Sequence, residues 1–456
     1  MRAEGKRKIR GKTMFKKTLV VIGALALIYA CTLFWMVNKR TENAAVAAEP
    51  DKPEVLTVWY WDDSLVELFE GFAEGRENLS INYVNVPNYE YAEKLRSAIS
   101  FSEELPDICL LQDKFAGDFL NLDIWEDLES EAYGLDRNTL PKDSLPYITS
   151  KSGTVVAAPY NLAASGLAYR SGMMERVFGL SEPEEVDRAF TSWEELIERG
   201  AEYKKTALEP FFLFSSLGDV ATVLYNQTEK PYVENDRLVE PERFLDYFRI
   251  LHSLYEERLV DDMSQCSKEW YDEFEKGRFL FSPWSMWLTQ NKTFSKNDKN
   301  DWKLMIPPEG SYKWGGCVCA IPSAGTHKET AWEFVKYMAL SEEGAKANKE
   351  VSCSQFLCWK QDTADASYQS LKLEGFGDFN VGEYYFNSLL PGMYTRELSP
   401  YDSAVDVAYH TAVKAISHEG GLTPEQSYQT FLQLLHKAVP AIQMDGKGES
   451  PSGIGQ

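Results

Sequence analysis

The sequence predicts a protein of the α/β class with more than one domain-sized unit, preceded by a hydrophobic N-terminal segment. In the first part of the body, short apolar runs alternate with amphipathic helical patterns, which is typical of a parallel sheet covered on both faces. About 400 of the 456 residues follow the N-terminal segment, and single hydrophobic cores rarely grow beyond about 250–300 residues. Element order and length therefore both favour an α/β fold with two or more units.

The N-terminus begins with a basic stretch, residues 1–17, and continues as an apolar run over residues 18–37. About 20 apolar residues can cross a bilayer as a helix, whereas the apolar core of a cleaved signal peptide usually has about 7–15 residues. The basic stretch keeps its end on the cytoplasmic side. The segment is predicted to be a transmembrane anchor or a signal peptide, and both place the following chain outside the cytoplasm.

Lipid attachment at Cys31 is a third interpretation of this segment. The sequence Ile28-Tyr29-Ala30-Cys31 loosely resembles a bacterial lipobox, although Tyr29 is bulky for that motif and the run stays apolar beyond the cysteine. A short linker, residues 38–53, follows and would hold the body near the membrane. We therefore expect a protein on the extracytoplasmic face of the cell membrane, tethered by its N-terminal segment.

The body is strongly acidic. Residues 41–456 contain 37 basic and 69 acidic side chains, a formal charge of −32. Such a surface repels nucleic acid phosphates and does not attract anionic ligands at long range, and its main effect is solubility. Seven cysteines and five histidines without a CxxC pair make a disulfide scaffold and a zinc site improbable. Cys317 and Cys319 alternate on a predicted strand and should share one face.

The first section of the body predicts the order βαβαβ. Strands are expected at 55–60, 81–86 and 107–111, with helices at 64–74 and 89–100 between them. Ser64 and Glu67 have the spacing of a capping box at the start of the first helix. This alternation predicts a parallel sheet.

The remaining chain predicts further helices and two isolated strands. Strands are expected at 154–158 and 315–321, and helices at 191–205, 241–258 and 268–276. Capping signatures begin at Thr191, Thr326 and Thr423, and Pro424 occupies a first helical position. The chain therefore returns to strand at 315–321, after a long section that is mainly helical.

Four segments in a fixed order point to a known family. They are the strand Thr57-Val58-Trp59-Tyr60-Trp61, the turn Leu105-Pro106-Asp107-Ile108, the run from Ala158-Pro159-Tyr160-Asn161 to Thr191-Ser192-Trp193-Glu194-Glu195-Leu196, and the series from Phe274 to Ala331-Trp332-Glu333-Phe334-Val335. In this order they resemble the extracellular solute-binding proteins related to maltose-binding protein. Arg170 stands where that family usually has Asn. The likeness spans roughly residues 55–439.

The resemblance implies a two-lobed periplasmic-binding-protein fold with hinge crossovers, in which the lobes close around a solute. It places lobe one at 54–159 and 312–350, and lobe two at 160–311 and 351–445, with a flexible tail at 446–456. The implied function is capture of a small solute, with a sugar or oligosaccharide favoured, and delivery to the permease subunits of an ABC importer. We expect a monomer without a cofactor.

Candidate ligand-binding residues lie at strand ends, where open α/β sheets bind ligands. Aromatic rings can stack on sugar C–H faces, and carboxylates and amides can bond hydroxyls. Candidates after the first and third strands are Trp61, Asp62, Gln112 and Asp113. Alternatively, these side chains could cap the helices that follow, or place negative charge at the helix N-termini.

Other candidates lie near the expected crossovers and in aromatic turns. They are Tyr160, Asn161, Trp284, Trp287, Trp314 and Gly315, with Tyr394 and Tyr401 as weaker choices. The small residues at Gly315 and Gly316 permit close approach of the chain. The alternative for Trp284 is packing in a core, and Asn161 could instead satisfy a bent backbone.

Two other functions remain open on sequence alone. A surface glycoside hydrolase or lyase would need two carboxyl groups about 5–10 Å apart across a cleft. No GxSxG, GxxxxGK[ST] or HExxH motif occurs, so nothing points to an enzyme. The third possibility is a binding protein that reports to a membrane sensor instead of a permease.

Overall fold

The computed structural model describes residues 53–61, 63–101, 104–261, 263, 267–290, 294, 301–351, 369–419 and 422–444. The basic stretch, the apolar run with Cys31, nearly all of the linker, Asp62 and the tail lie outside the described residues. Among the helices described, none has the length and apolar character needed to cross a membrane.

Eleven strands are found in the described part of the chain. They are β1 (Glu54–Tyr60), β2 (Leu79–Asn85), β3 (Ile108–Gln112), β4 (Ala157–Pro159), β5 (Ala164–Arg170), β6 (Val233–Glu234), β7 (Arg237–Leu238), β8 (Phe281–Ser285), β9 (Trp302–Met305), β10 (Tyr312–Lys313) and β11 (Cys317–Ala320).

The described part of the chain also contains α-helices between and after the strands. They are α1 (Val66–Ala73), α2 (Asn88–Phe101), α3 (Asp113–Leu120), α4 (Ser171–Phe178), α5 (Pro183–Ala189), α6 (Trp193–Thr206), α7 (Leu217–Asn226), α8 (Glu242–Glu256), α9 (Lys268–Lys276), α10 (Met286–Gln290), α11 (Lys328–Leu340), α12 (Glu342–Val351), α13 (Val381–Tyr384), α14 (Asp402–Glu419) and α15 (Pro424–Ala438). Short 3-10 segments lie at Asp63–Leu65, Arg137–Thr139, Lys142–Tyr147 and Leu390–Gly392, and a π-helical segment lies at Tyr385–Leu389.

The first lobe is built on a five-stranded sheet in the order β2-β1-β3-β11-β4. β1 and β3 are parallel, as the βαβαβ pattern predicts, with Val58 opposite Ile108. β11 returns antiparallel between β3 and β4, with Val318 opposite both Leu111 and Pro159. The late strand thus completes a sheet that begins about 260 residues earlier, as expected of two lobes joined by crossovers.

The second lobe is built around β5, which pairs antiparallel with β8, β9 and β10. β10 therefore belongs to the second sheet, although residues 312 and 313 were expected in lobe one. The return crossing lies at Trp314–Gly316, between β10 and β11. The boundary set from motifs came two residues early because the Gly-Gly turn, not the preceding strand, is where the chain changes sheets.

Helix starts match only part of the capping pattern. Ser192 caps α6 by accepting the Glu195 N–H at 3.2 Å, and Thr423 and Gln426 form a reciprocal capping box on α15. The predicted boxes at Ser64 and Thr326 are wrong. Leu65 and His327 occupy those N-cap positions without a side-chain hydrogen bond, because a 3-10 turn and a one-residue shift displace the cap.

The lobes have separate hydrophobic cores. The first contains Trp59, Tyr91 and Phe115 between sheet and helices. The second has two clusters, one under α6–α8 and α14–α15 and one around Trp270, Trp284 and Trp302. Residues of α14 and α15 pack in the first of these two clusters.

Among the described residues, Cys109, Cys317 and Cys319 are buried. Cys317 and Cys319 alternate along β11 as expected. Burial raises the pKa of the Cys319 thiol to about 12, so this group stays protonated and behaves as a small apolar side chain. Cys266, Cys353 and Cys358 lie outside the described residues.

Candidate functional site

A cavity of about 440 Å³ lies between the lobes, at the carboxyl end of β3. From the first lobe and the crossover it is lined by Gln112, Asp113, Lys114, Trp314 and Gly315. From the second lobe it is lined by Thr222, Tyr225, Asn226, Trp287, Arg396, Asp402, Asp406, Val407, His410, Thr411 and Lys414. Its volume lies within the roughly 300–1,000 Å³ typical of small-molecule sites.

The first-lobe wall forms where β3 turns into α3. Gln112 has extended backbone and Asp113 opens the helix, so both side chains emerge at the sheet edge, where parallel strands present ligand sites. Asn88 donates to Gln112 Oε1 at 2.7 Å. This hydrogen bond fixes the orientation of the Gln112 amide.

The aromatic wall is made by Trp287 and Trp314. Their rings meet edge to face with centroids 4.8 Å apart, and Trp287 Nε1 donates to the Trp314 carbonyl at 3.1 Å. Gly315 has φ of +91°, and a Cβ there would lie 3.1 Å from Trp287 Nε1. Only a residue without a side chain lets the crossover pass this close to the indole.

One face of α14 forms the opposite wall. Asp402, Asp406, His410 and Lys414 recur at intervals of four residues and therefore share a helix face. Arg396 Nη1 lies 2.5 Å from Asp402 Oδ2, and His410 Nδ1 lies 3.1 Å from Asp406 Oδ1. Burial acts to raise the pKa of Asp406, but the hydrogen bond and charge of His410 hold that pKa below its usual value.

Several polar contacts join the lobes beside the cavity. Lys313 Nζ, on β10, lies 2.8 Å from Asp113 Oδ2 on α3, and the same ammonium lies 4.1 Å from the centre of the Tyr147 ring. Ser403 Oγ, on α14, donates to both carboxylate oxygens of Asp118, at 2.7 and 2.9 Å. These contacts hold α3 against the second lobe.

Five of the predicted site residues line the cavity together: Gln112, Asp113, Trp287, Trp314 and Gly315. Their roles in binding remain predictions. Asp62 lies outside the described residues.

The other predicted residues do not line this cavity. Trp284 is fully buried and packs against Phe376, so it takes the alternative role in a core. Tyr160 is also fully buried and donates to Asn348 Oδ1 at 2.7 Å. Asn161 Oδ1 accepts the Cys317 N–H at 2.8 Å and so satisfies the bent backbone at the crossover.

Trp61 and the two weaker candidates are likewise engaged elsewhere. The Trp61 ring packs on Tyr60 at 4.3 Å between centroids. Tyr394 donates to the Glu309 carbonyl at 2.9 Å, and Tyr401 donates to Asp236 Oδ1 at 2.8 Å.

Apart from Trp287, sequence reasoning missed the second-lobe wall. Arg396 comes from a loop, and the residues of α7 and α14 come from helices whose polar faces look solvated in sequence. The four-residue spacing from Asp402 to Lys414 was the available signal for this wall. It places acidic and basic groups on one helix face, and such a face can border a cleft as well as solvent. Among the described residues, no group of three or more His, Cys, Asp or Glu side chains could hold a metal ion.

Comparisons with known proteins agree with this architecture. Residues 67–352 match the sequence model of the family described as bacterial extracellular solute-binding protein. No curated protein matches the chain. A solved extracellular solute-binding protein of family 1 superposes with a TM-score of 0.75 at 17% identity, covering 85% of this chain and 100% of the other.

Two further solved structures are those of sugar-binding proteins. The sugar-binding protein MalE of Xanthomonas citri gives a TM-score of 0.66 at 16% identity, covering 86% of this chain and 100% of its own. The galacto-N-biose-/lacto-N-biose I-binding protein of the Bifidobacterium longum ABC transporter, solved with lacto-N-biose, gives 0.68 at 12% identity, covering 86% and 98%. At these identities the likeness establishes the two-lobed fold.

Proposed function

The chain belongs to the bacterial extracellular solute-binding protein family, and on that premise we propose that it captures a saccharide in the interlobe cavity and delivers it to an ABC importer. The observation that carries the proposal is the composition of the cavity wall. Two tryptophan rings face a set of amides, hydroxyls and charged groups across about 440 Å³. Sugars present apolar C–H faces and a rim of hydroxyls, and this wall offers a partner for each.

The structural neighbours support the saccharide as the ligand class. The galacto-N-biose-/lacto-N-biose I-binding protein was solved with lacto-N-biose, and the GacH receptor of Streptomyces glaucescens was solved with acarbose. We extend this ligand class to the present chain because its cavity occupies the interlobe position and has an aromatic wall. Delivery to permease subunits, action as a monomer and tethering through the N-terminal segment complete the proposal.

The charge pairing in the cavity favours binding over glycoside hydrolysis. A hydrolase requires a carboxylic acid whose pKa is raised so that it can donate a proton. Here Asp113 pairs with Lys313 and Asp402 pairs with Arg396, while Asp406 Oδ1 lies 3.1 Å from His410 Nδ1 and the pKa of Asp406 is lowered. The Asp113 and Asp402 carboxylates are thus charge partners of basic side chains, and the lowered pKa of Asp406 makes that carboxyl a poor proton donor.

Isothermal titration of the purified full chain with mono- and oligosaccharides tests the proposal. We expect at least one saccharide to bind, and Trp314→Ala to weaken that binding tenfold or more because it removes the aromatic wall. Phe101→Ala is the matched control, since Phe101 is 76% exposed at the end of α2 and does not line the cavity. Binding of peptides or polyamines with no saccharide bound would refute the ligand class.

A further inference from the structure

The cavity is rich in cations for so acidic a protein. Residues 41–456 carry a formal charge of −32, yet Lys114, Arg396 and Lys414 line the cavity against three aspartates. Lys313 lies directly behind Asp113. With this lysine included, the formal charge around the cavity is positive. The screening length of about 8 Å in physiological salt means that a bound solute responds to these near groups more than to the distant surface.

The three aspartates of the cavity already have partners within the protein. Asp113 pairs with Lys313, Asp402 with Arg396 and Asp406 with His410. A carboxylate that already accepts a charged hydrogen bond has less capacity to hold a further cation. The negative side of the cavity is therefore largely neutralised from within.

Arg396 keeps a hydrogen-bonding edge free. Its Nη1 binds Asp402 and the Glu397 carbonyl, and its backbone N–H donates to the Tyr147 hydroxyl. The guanidinium carbon lies 4.2 Å from the centre of the Tyr232 ring, which supports one face of the group. Nε and Nη2 make no hydrogen bond to any residue in the described ranges, and these two donors are not sealed in the core.

This free edge has the geometry of a carboxylate receptor. Nε–H and Nη2–H point the same way, so one carboxylate can accept both in a bidentate pair. Asp402 and Tyr232 fix the guanidinium in place, which lowers the entropy cost of binding. A hydroxyl group of a neutral sugar would use only part of this edge.

Lys114 and Lys414 face the same cavity from opposite lobes. Lys114 is the second residue of α3, and Lys414 is the last of the four residues spaced along one face of α14. Both are exposed, and neither forms an ion pair with the residues whose positions are described. The Lys114 ammonium also lowers the pKa of Asp406, so its charge reaches the α14 wall across the cavity.

We infer that the preferred solute is an acidic saccharide, of the uronate type, whose carboxylate binds the Nε–Nη2 edge of Arg396 between Lys114 and Lys414. The inference rests on the proposed function and specifies its ligand class. The two tryptophans stack on the sugar ring, while the cations hold the carboxylate.

Titration of the full chain with matched sugars tests this inference. Each uronate disaccharide is compared with its carboxyl-reduced counterpart, which keeps the ring stereochemistry and loses only the charge. We expect the uronate to bind at least tenfold more tightly, with an affinity that falls as NaCl rises from 50 to 300 mM. Lys114→Ala and Lys414→Ala should each weaken uronate binding about three- to tenfold, and the reduced disaccharide much less.

Two further variants control the experiment. Lys205→Ala removes an exposed lysine of α6 outside the cavity, and we expect it to leave uronate binding unchanged. Arg396→Lys keeps the charge and removes the bidentate edge, so it should lower the preference for the uronate over the reduced sugar. Because Arg396 is nearly buried, the melting temperature of the Arg396→Lys variant is measured first. If this variant does not fold, the inference is tested with the exposed variants Lys114→Ala and Lys414→Ala.

The outcomes separate this inference from the proposed function. Equal affinity for uronate and reduced disaccharide would overturn the inference and leave saccharide capture intact. Binding of a sulfated disaccharide in preference to all uronates would overturn the assignment of a carboxylate. Failure of every saccharide to bind would overturn both.

Discussion

The ion pair between Lys313 and Asp113 is predicted to contribute measurably to the association of the two lobes. Its atoms are 2.8 Å apart, and the two side chains are only 6% and 17% exposed. At an effective dielectric constant of 20, Coulomb attraction at this distance is about 6 kcal/mol, and desolvation of both groups opposes much of it. A net coupling of about 2 kcal/mol remains as the expected value.

The two single variants should differ in severity. Asp113→Asn leaves the Lys313 ammonium buried with the Gly315 carbonyl, 2.6 Å away, as its main acceptor, and should cost about 3–4 kcal/mol. Lys313→Met leaves Asp113 beside the cavity, where water can solvate it, and should cost about 2–3 kcal/mol.

A double-mutant cycle in urea unfolding at pH 7 measures the coupling. We expect the double variant to be destabilised by about 2 kcal/mol less than the sum of the single variants. Additivity within about 0.5 kcal/mol would refute the argument that the two charges depend on each other.

Three further predictions follow from burial and close packing. Burial raises the pKa of Asp187 to about 6, so the folded state binds this proton more tightly than the unfolded state and loses stability as pH rises from about 4 to 6. Asp187→Asn should therefore gain about 2–3 kcal/mol relative to the wild type across that range in urea titrations, and parallel stability curves would contradict this. A Cβ on Gly117 would overlap the carbonyl oxygen of Ser399, so Gly117→Ala should lower the free energy of unfolding by about 1–3 kcal/mol. Gly172→Ala is the control, because a Cβ there has 3.8 Å of clearance and should not lower the melting temperature. Trp284→Ala should lower the free energy of unfolding by about 3–5 kcal/mol because the side chain is fully buried. Saccharide affinity should nevertheless change less than threefold, and a larger change would place this residue in the binding site.

Much of the first lobe could be predicted from the sequence because its elements are local and regular. Strand and helix periodicity placed β1 to β3 and α1 to α2 within a few residues. Gln112 and Asp113 were identified as site residues by a general rule, since they follow a buried parallel strand.

The second-lobe wall could not be predicted in the same way. Its residues reach the cavity through tertiary packing of α7 and α14, and a helix that borders a cleft has the same polar stripe as one that borders solvent. Trp284 shows the converse problem, because an aromatic residue at a strand end can fill a core or a binding site with identical local sequence.

The sequence predicted that the chain crosses back between the lobes, but not the residues at which it changes sheets. Gly315 and Gly316 indicated a close approach of the chain, and their positive φ values agree with that. Tyr312 and Lys313 pair with β5, which lies about 150 residues earlier in the chain. The local sequence around these two residues does not predict this pairing.

A crystal structure of the full chain with its tightest-binding saccharide tests the central claim most directly. We expect electron density for the sugar in the cavity between the Trp287–Trp314 wall and the α14 stripe, in contact with Gln112 or Asp113. Sugar density at another surface, with this cavity filled only by water, would contradict the account.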